Sequence, residues 1–390
     1  MKSIPYSKQW ILKQDINNVI NVLKSPLLTK GSETINFENN IKLVTHAKYC
    51  VSTINASSAL ILLCKALNIT KKDIVWTTAV TYVASINCAL HCGAQIDLVD
   101  IDPVTNNISL FDLEKKLKIA KIKKKLPSLL IVVHLGGLPC DLINIYKLSK
   151  RYNFKIVEDA SHALGSKYFK DAIGNCKYSD AVVFSFHPVK TITTAEGGAI
   201  TTNSKKLYKK LALLRENGQL KKFSTLDPNF YDVVDLGYNF RINEINSKLG
   251  QSQIKNLKFF IKKKILISKF YYKNFNIYKK YISLQPLNKN VINSFHLFII
   301  KINFSLLKIK KNNFILNLRK KNIFVNTHYI PLYKFSFIKK FLNIKKLKNS
   351  EDYYNSALSI PIYPSMSKNE MIYVVKSITG LINDNVKKSF

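Results

Sequence analysis

The sequence predicts an α/β fold: a mostly parallel central sheet with helices on both faces, followed by a smaller C-terminal α+β domain. Three observations predict it. Between about Cys50 and Asn203, short apolar runs alternate with helical patterns, the order that a parallel sheet with crossover helices requires. The runs are nearly continuous in apolar residues, as strands buried on both faces are. After Gly250 the texture changes to long basic amphipathic stretches. A chain of 390 residues accommodates both units, with the division expected between residues 1–250 and 251–390.

The strand candidates are Ile74 to Trp76, Ile96 to Val99, Leu129 to His134, Lys155 to Val157, Ala181 to Phe184 and Ala199 to Thr202. Helical patterns separate them, among them Leu113 to Lys124 and Leu142 to Tyr152. Asn55-Ala56-Ser57-Ser58 opens a further helix whose apolar residues Leu60, Leu63, Cys64 and Leu67 fall at i, i+3, i+4 and i+7. In the second unit, Gln251 to Phe275 reads as helix and Ile292 to Ile302 as strand. Leu306 to Lys320 reads as helix, Phe324 to Tyr329 as strand and Asn369 to Leu381 as the last helix. No repeat or low-complexity linker interrupts this order.

Composition narrows the function. With 47% hydrophobic and 22% charged residues the chain is globular. The net charge of +37 raises a nucleic-acid or anionic-surface partner as a competing reading. Against it, the lysines come in small groups (Lys121 to Lys125, Lys205 to Lys210, Lys262 to Lys264, Lys308 to Lys311), without an arginine-rich arm or interleaved aromatics. They read as solvated faces, so neither a nucleic acid nor a membrane is expected as a partner. The uncharged stretch Ile74 to Ile96 contains Thr77, Thr78, Thr81, Ser85, Asn87, His91 and Gln95, too polar for lipid and suited to a buried helix beside a site. Met1 to Asp15 lacks the apolar core of a secretory signal, and the six cysteines form no CxxC pair. A cytoplasmic protein with reduced thiols is expected. Cys88, His91 and Cys92 share one helix with no second ligand pair, so no metal is expected.

The chemistry centres on Lys190, in a small-residue loop after the Ala181 to Phe184 strand, and on Asp159 at the end of another strand. Ligands of open α/β sheets bind beyond the carboxyl ends of the strands. A lysine aimed into a cleft beside a carboxylate is the minimal apparatus for Schiff-base chemistry with pyridoxal phosphate. The hydroxyl-rich helix start at Ser57 and Ser58 suits a phosphate, and it is also an ordinary N-cap. Tyr82 is open between stacking on a flat cofactor ring and core packing. His162 is open between contacting the cofactor's phenolic oxygen and a structural role.

Taken together, these segments resemble the sugar aminotransferases of the DegT/DnrJ/EryC1/StrS family, fold-type I enzymes dependent on pyridoxal 5′-phosphate. The resemblance runs through Ile4-Pro5-Tyr6, Leu28-Thr29-Lys30-Gly31, the Asn55 to Leu60 run and Glu158-Asp159-Ala160-Ser161-His162-Ala163-Leu164-Gly165. It continues through the Lys190 segment, Gly237-Tyr238-Asn239-Phe240-Arg241-Ile242-Asn243-Glu244, His328-Tyr329-Ile330-Pro331-Leu332 and Leu358-Ser359-Ile360-Pro361-Ile362-Tyr363-Pro364. Within the family, Ser185-Phe186-His187-Pro188-Val189-Lys190-Thr191-Ile192-Thr193-Thr194 is most similar to the enzymes of the pseudaminic acid pathway. One departure is Ala195 in place of the usual glycine before Glu196-Gly197-Gly198, which is tolerable only if the backbone there avoids positive φ.

The resemblance implies an aminotransferase moving an amino group from L-glutamate to the C4 keto group of UDP-4-keto-6-deoxy-L-AltNAc. Alternatives are a 4-aminotransferase of a legionaminic or O-antigen pathway. It implies that Lys190 forms the Schiff base and carries the proton, that Asp159 pairs with the pyridine nitrogen and that Tyr82 stacks on the ring. His162 lies near the phenolic oxygen, and Ser57, Ser58 and Ser185 hold the phosphate. Asn239 is supplied by the neighbouring subunit of a homodimer. Around the UDP-sugar the resemblance places Tyr6, Leu28, Thr29, Lys30, His187, Arg241, His328 and Tyr329, with the N-terminal segment 1–30 contributing to the substrate site. The choice of sugar is assigned to loops such as Asn217 to Asp232. Because Lys190 is intact and His187 stands three residues before it, transamination is expected rather than the dehydration of relatives that carry histidine at the lysine position.

Overall fold

The computed structural model describes residues 3–221, 230–344 and 346–387; residues 222–229 of the loop expected to influence sugar choice lie outside them. Seven strands form the central sheet: β1 (Tyr49–Thr53), β2 (Ile74–Thr78), β3 (Gln95–Val99), β4 (Leu129–Val133), β5 (Lys155–Asp159), β6 (Ala181–Ser185) and β7 (Gly198–Thr202). Their order is β1-β7-β6-β5-β4-β2-β3. Pairing is parallel from β6 through β3, and β7 alone runs against its neighbours. The mostly parallel sheet is therefore observed, and the six predicted strands are all in it.

Alternation along each strand loads both faces. Leu130, Val132, Ile156, Val182 and Phe184 enter one apolar cluster; Leu129, Ile131, Val157, Ala181 and Val183 enter the other. Every residue of β4 is buried, and each such side chain contributes roughly 1.5–3 kcal/mol on leaving water. This is why the strands read as nearly continuous apolar runs.

Helices cover both faces: α1 (Lys13–Leu23), α2 (Ser32–Thr45), α3 (Ala56–Ala66), α4 (Ala84–Leu90), α5 (Leu110–Ile122), α6 (Leu142–Tyr152), α7 (Lys205–Arg215) and α8 (Glu244–Lys255). Side-chain caps set several starts. Asn55 accepts from the Ser58 amide, Ser109 from that of Asp112, and Asp141 from that of Asn144, each satisfying an otherwise orphaned donor. The Ser109 cap starts α5 three residues before the predicted Leu113.

Beyond residue 256 the elements are α9 (Leu257–Phe275), β8 (Ile282–Leu284), β9 (Phe298–Ile302), α10 (Lys311–Lys320), α11 (Lys348–Ser356), β10 (Ala357–Ile360) and α12 (Lys368–Lys387). The three strands form an antiparallel sheet in the order β8-β9-β10. Four expectations need correction here. The predicted helix 251–275 is two helices, parted at Asn256, whose φ of −96° and ψ of 3° leave the helical region. Strand β9 begins only at Phe298, and α10 only at Lys311. Phe324 to Tyr329 is no strand: it is tied by isolated bridges, Ile4 to Ile323 on one side and Asn326 to Ser359 on the other, which leaves its end free to enter the cleft.

The lysine groups also need one correction. Lys121 to Lys125, Lys262 and Lys263 are exposed, as solvated faces are, but Lys264 is 1% exposed. Among the described residues no helix is long and apolar enough to cross a membrane.

Candidate active site

At the carboxyl edge of the central sheet lies a cavity of about 590 Å³. Its wall includes Ser57 at the start of α3, Tyr82 before α4, Asp159 ending β5 with His162 beyond it, and Ser185 ending β6 with His187 and Lys190 beyond it. Tyr6, His328 and Tyr329 close it from the side of the antiparallel sheet. Ten residues that the sequence places up to 323 positions apart thus share one wall. A larger depression of about 1160 Å³ along α7 is lined by Lys206, Lys209 and Lys210 with Asp180 and Glu216, without a comparable convergence of buried groups.

Asp159 is 5% exposed and held by two donors. The Ser85 hydroxyl reaches Oδ2 at 2.7 Å and the Ser161 amide reaches Oδ1 at 3.1 Å. Ser85 is in turn 2.9 Å from Thr81 Oγ1. Two donors thus fix the orientation of a carboxylate that is shut off from solvent.

The Lys190 loop is closed at its base by the Phe186 amide donating to the Gly197 carbonyl and the Thr194 amide donating to the Phe186 carbonyl, both 2.9 Å. Ser7 Oγ donates to the Val189 carbonyl at 3.1 Å, seating the N-terminal segment on the loop. Burial lowers the Lys190 amine from its ordinary value to about 8, although the Asp159 charge opposes that shift. A lysine so placed is a usable base and nucleophile near neutral pH.

Three histidines sit in or behind the wall. Burial, then the Lys190 charge, lowers His328 to about 3; its Nδ1 is 2.9 Å from Ser359 Oγ and its ring lies 4.9 Å from that of Tyr6. Burial likewise holds His162 well below the usual range, followed by the charges of Lys190, His328 and Lys264. His296 packs on His162 with ring centroids 4.3 Å apart and is lowered for the same leading reason.

The α3 terminus leaves the amides of Ala56 and Ser57 without partners in the helix, and both residues face the cavity. Ser58 does not. Its amide is taken by Asn55 and it is 6% exposed beneath the helix start, which corrects the pairing of Ser57 with Ser58. Gly198 makes the cradle: a Cβ there would come within 2.5 Å of the Asn55 carbonyl carbon, so only glycine lets β7 approach this terminus. A phosphate-sized acceptor at Ser57 and a flat ring between Tyr82 and Asp159 fit the residues present.

Leu28, Thr29, Lys30, Asn239 and Arg241 are not on this chain's cavity wall. Three of them gather around Glu216: Arg241 at 3.0 Å, Lys30 at 3.7 Å, and Asn239 through a backbone bridge; the Leu28 carbonyl accepts instead from the Glu244 amide at 2.9 Å. Glu244 stitches the same region, taking the Glu33 amide at 2.7 Å. A Cβ on Gly31 would fall 2.6 Å from its carboxylate.

Ala195 overturns the expectation attached to it. Its φ is +64°, so the chain keeps the left-handed conformation that glycine usually serves and bears its cost. The Ala195 amide donates to Thr193 Oγ1 at 2.9 Å, which holds the turn. Sequence reasoning left Ser85 and Thr81 without a role at Asp159, and it passed over Lys264 and His296. For Ser85 a signal existed in the uncharged, hydroxyl-bearing stretch around it. For Lys264 it lay in the spacing Phe260, Lys264, Ile267, Tyr271, which puts a lysine on the buried face of α9.

Comparison with known proteins agrees with this architecture. A Campylobacter jejuni UDP-4-amino-4,6-dideoxy-N-acetyl-beta-L-altrosamine transaminase is 36% identical over 390 residues, covering 99% of both chains. The structure of Helicobacter pylori PseC, an aminotransferase involved in the biosynthesis of pseudoaminic acid, superposes with a TM-score of 0.90 at 30% identity, covering 98% of this chain and 100% of that one. The PLP form of a putative sugar aminotransferase, Spr1654 from Streptococcus pneumoniae, superposes with a TM-score of 0.88 at 27% identity, covering 98% and 99%. Residues 9–379 match the DegT/DnrJ/EryC1/StrS aminotransferase family, and the chain belongs to that family of pyridoxal phosphate-dependent enzymes.

Proposed function

We propose that this protein moves an amino group from L-glutamate to the C4 keto carbon of UDP-4-keto-6-deoxy-L-AltNAc, the amination step of pseudaminic acid synthesis, and works in the cytoplasm. The observation that carries the reading is Lys190, lowered to about 8, in one cavity with the doubly held Asp159. The whole-length similarity to the altrosamine transaminase supports the sugar.

Pyridoxal phosphate, when bound, supplies an aldehyde carbon that exchanges amines and a protonated ring that accepts electrons. The residues divide the remaining work. Lys190 Nζ would hold the cofactor and, when free, would take and return the proton at the substrate carbon. Asp159, oriented by the Ser85 hydroxyl and the Ser161 amide, would pair with the ring nitrogen. Ser57 and Ser185 would hold the phosphate together with the free amides of α3, and Tyr82, 57% exposed, would pack against the ring. Tyr6, His187, His328 and Tyr329 line the side where the nucleotide sugar enters.

Leu28, Thr29, Lys30, Asn239 and Arg241 act in the cavity of a second copy. Their distance from this chain's cavity supports a homodimer, as do the exposed apolar side chains around them. Leu220 is 46%, Val233 60% and Leu236 78% exposed, a patch that a partner would cover. On this reading residues 1–250 hold the cofactor, 251–390 form the small domain, and the segment 1–30 serves the substrate. Ile4, 2% exposed in the apolar cluster with Phe298 and Leu358, supports that placement of the segment.

Incubation of the purified protein with glutamate and a panel of 4-keto sugar nucleotides, read by product mass, tests the proposal. A single amino-for-keto mass change on the altro-configured UDP-sugar is expected. Turnover confined to another nucleotide or configuration would overturn the substrate assignment, and no turnover with any would overturn the function.

A further inference from the structure

The direction of one buried hydrogen bond can be read from the backbone. The Gly136 amide donates to His162 Nδ1 at 3.2 Å. That amide is not free to turn away. Gly136 sits at φ +69° in the turn after β4, the Leu135 amide before it donates to Asn107 Oδ1 at 3.0 Å, and its own carbonyl accepts from the Leu297 amide at 3.2 Å. A neutral imidazole has one N–H and one lone pair. With its Nδ1 lone pair facing an N–H, His162 carries its proton on Nε2. A doubly protonated ring would set two hydrogens face to face, and the surrounding Lys190, Lys264, His296 and His328 add no carboxylate in contact with it.

His162 Nε2 lies 3.0 Å from Tyr329 Oη. The histidine therefore donates and the phenol accepts. A phenol has one proton to give, and among the described residues Tyr329 Oη has no second hydrogen-bond partner. Tyr329 lines the cavity, its ring 6.0 Å from that of Tyr82. Burial, followed by the Asp159 charge, keeps the phenol protonated by raising it well above its ordinary value. His296 also packs against the His162 ring, with centroids 4.3 Å apart and planes tilted by 41°.

We infer that Gly136 is a positioning residue for a relay through His162 that makes the Tyr329 hydroxyl a fixed donor into the cavity, committed to an acceptor oxygen of the bound ligand. Its specificity follows: a ligand offering oxygen lone pairs at that point is held, and one offering only a donor or an alkyl group leaves the hydroxyl proton unpaired. Cofactor and sugar nucleotide both carry such oxygens, and the assignment to either rests on the function proposed above, whereas the proton position does not.

Nitrogen-15 spectroscopy of histidine-labelled protein without ligand tests the proton position, with His162 assigned by the signal lost in His162→Gln. A neutral ring protonated at Nε2 across the neutral pH range is expected. A proton on Nδ1, or a charged ring, overturns the inference. The donor is tested in Tyr329→Phe by absorbance titration with pyridoxal phosphate and by the KM for the sugar nucleotide. One of the two should weaken by about tenfold. Weakened loading with a shifted absorbance maximum identifies the cofactor as acceptor, and a raised KM with an unchanged spectrum identifies the sugar nucleotide. No change in either overturns the inference. His162→Leu, which removes the N–H facing Tyr329, should weaken the same titration as Tyr329→Phe; wild-type behaviour of His162→Leu in both also overturns it. If wild-type protein shows the Nε2 proton but never takes up pyridoxal phosphate, the proposed function fails and the relay stands.

Discussion

Ser85 donates a 2.7 Å hydrogen bond to Oδ2 of Asp159, tying helix α4 to the end of strand β5 beneath the cavity floor. Hydrogen bonds to a charged group are worth about 1.5–3 kcal/mol, and this one also fixes which way the carboxylate faces. Ser85→Ala should therefore weaken pyridoxal phosphate retention by roughly tenfold or more while leaving the fold intact. Dialysis of loaded protein followed by absorbance would check it, and wild-type retention would remove Ser85 from the site. Thr81→Val, one bond further out, should have a smaller effect.

Capture of the cofactor should reveal the state of Lys190. An exposed lysine gains its free amine only toward about pH 10.4. Burial brings Lys190 to about 8, so the rate at which ligand-free protein covalently captures pyridoxal phosphate should climb through about pH 8 and level off above it. Stopped-flow absorbance across this range measures it. A rate still rising steeply at pH 10 would place the reactive amine on an ordinary surface lysine, and Lys190→Ala should abolish the phase.

Lys264 carries a stability penalty whose sign can be worked through. Its amine is buried in α9 with no hydrogen-bond partner among the described residues, and burial, then the Lys190 charge, lowers it to about 7. The unfolded chain holds the same proton to about pH 10.4. Between these values the unfolded state binds more protons, so stability rises with pH, and below about 7 the whole penalty is present. Lys264→Met should stabilise the protein by roughly 2–4 kcal/mol at pH 6, and the gain should fade toward pH 10. Urea unfolding at both pH values gives the comparison; equal gains at the two would show that packing, and not charge burial, is responsible.

What the sequence could and could not disclose follows from how each feature is encoded. Strands β4, β5 and β6 are legible because both of their faces are buried, which favours nearly continuous apolar runs, with Asp159 and Ser185 at the ends of β5 and β6. Phe324 to Tyr329 is interrupted by Asn326, Thr327 and His328, and its backbone pairs with single residues, Ile4 and Ser359, which no local pattern records. Lys190 stood out through its position after a strand, whereas Lys264 sat in a lysine triplet whose other two members are solvated. Ser85 and Thr81 act through a carboxylate 74 residues away from Ser85, a pairing that only the fold creates. Ser58 was grouped with Ser57 because both open a helix, and the 100° step between them, which sends one inward, is settled by the Asn55 cap.

Ala195 offers a stability test at no cost to the site. Its φ of +64° costs an alanine about 1–2 kcal/mol, partly offset in glycine by greater unfolded-state freedom. Ala195→Gly should thus gain about 0.5–1 kcal/mol, seen as a rise of about 2 °C in Tm. Ala195→Val should lose more than this because a β-branched side chain is a stronger outlier in that region. A lower Tm for the glycine variant would mean that the Thr193 hydrogen bond, not the dihedral, governs the turn.

Complementation between two inactive variants would test the shared cavity. Lys190 lines this chain's cavity and Asn239 does not, so in the proposed homodimer each site joins Lys190 of one subunit to Asn239 of the other. Lys190→Ala and Asn239→Ala should each be inactive or nearly so alone. After unfolding and refolding as an equal mixture, half of the dimers are mixed, and each mixed dimer holds one site with both substitutions and one with neither. Activity should therefore return to about a quarter of wild type. A mixture no more active than its parts would put Asn239 in the same subunit's chemistry or outside it, and the cluster at Glu216 would then be structural. Arg241→Ala mixed with Lys190→Ala should follow Asn239→Ala, because both residues converge on Glu216 and would enter the partner's cavity together.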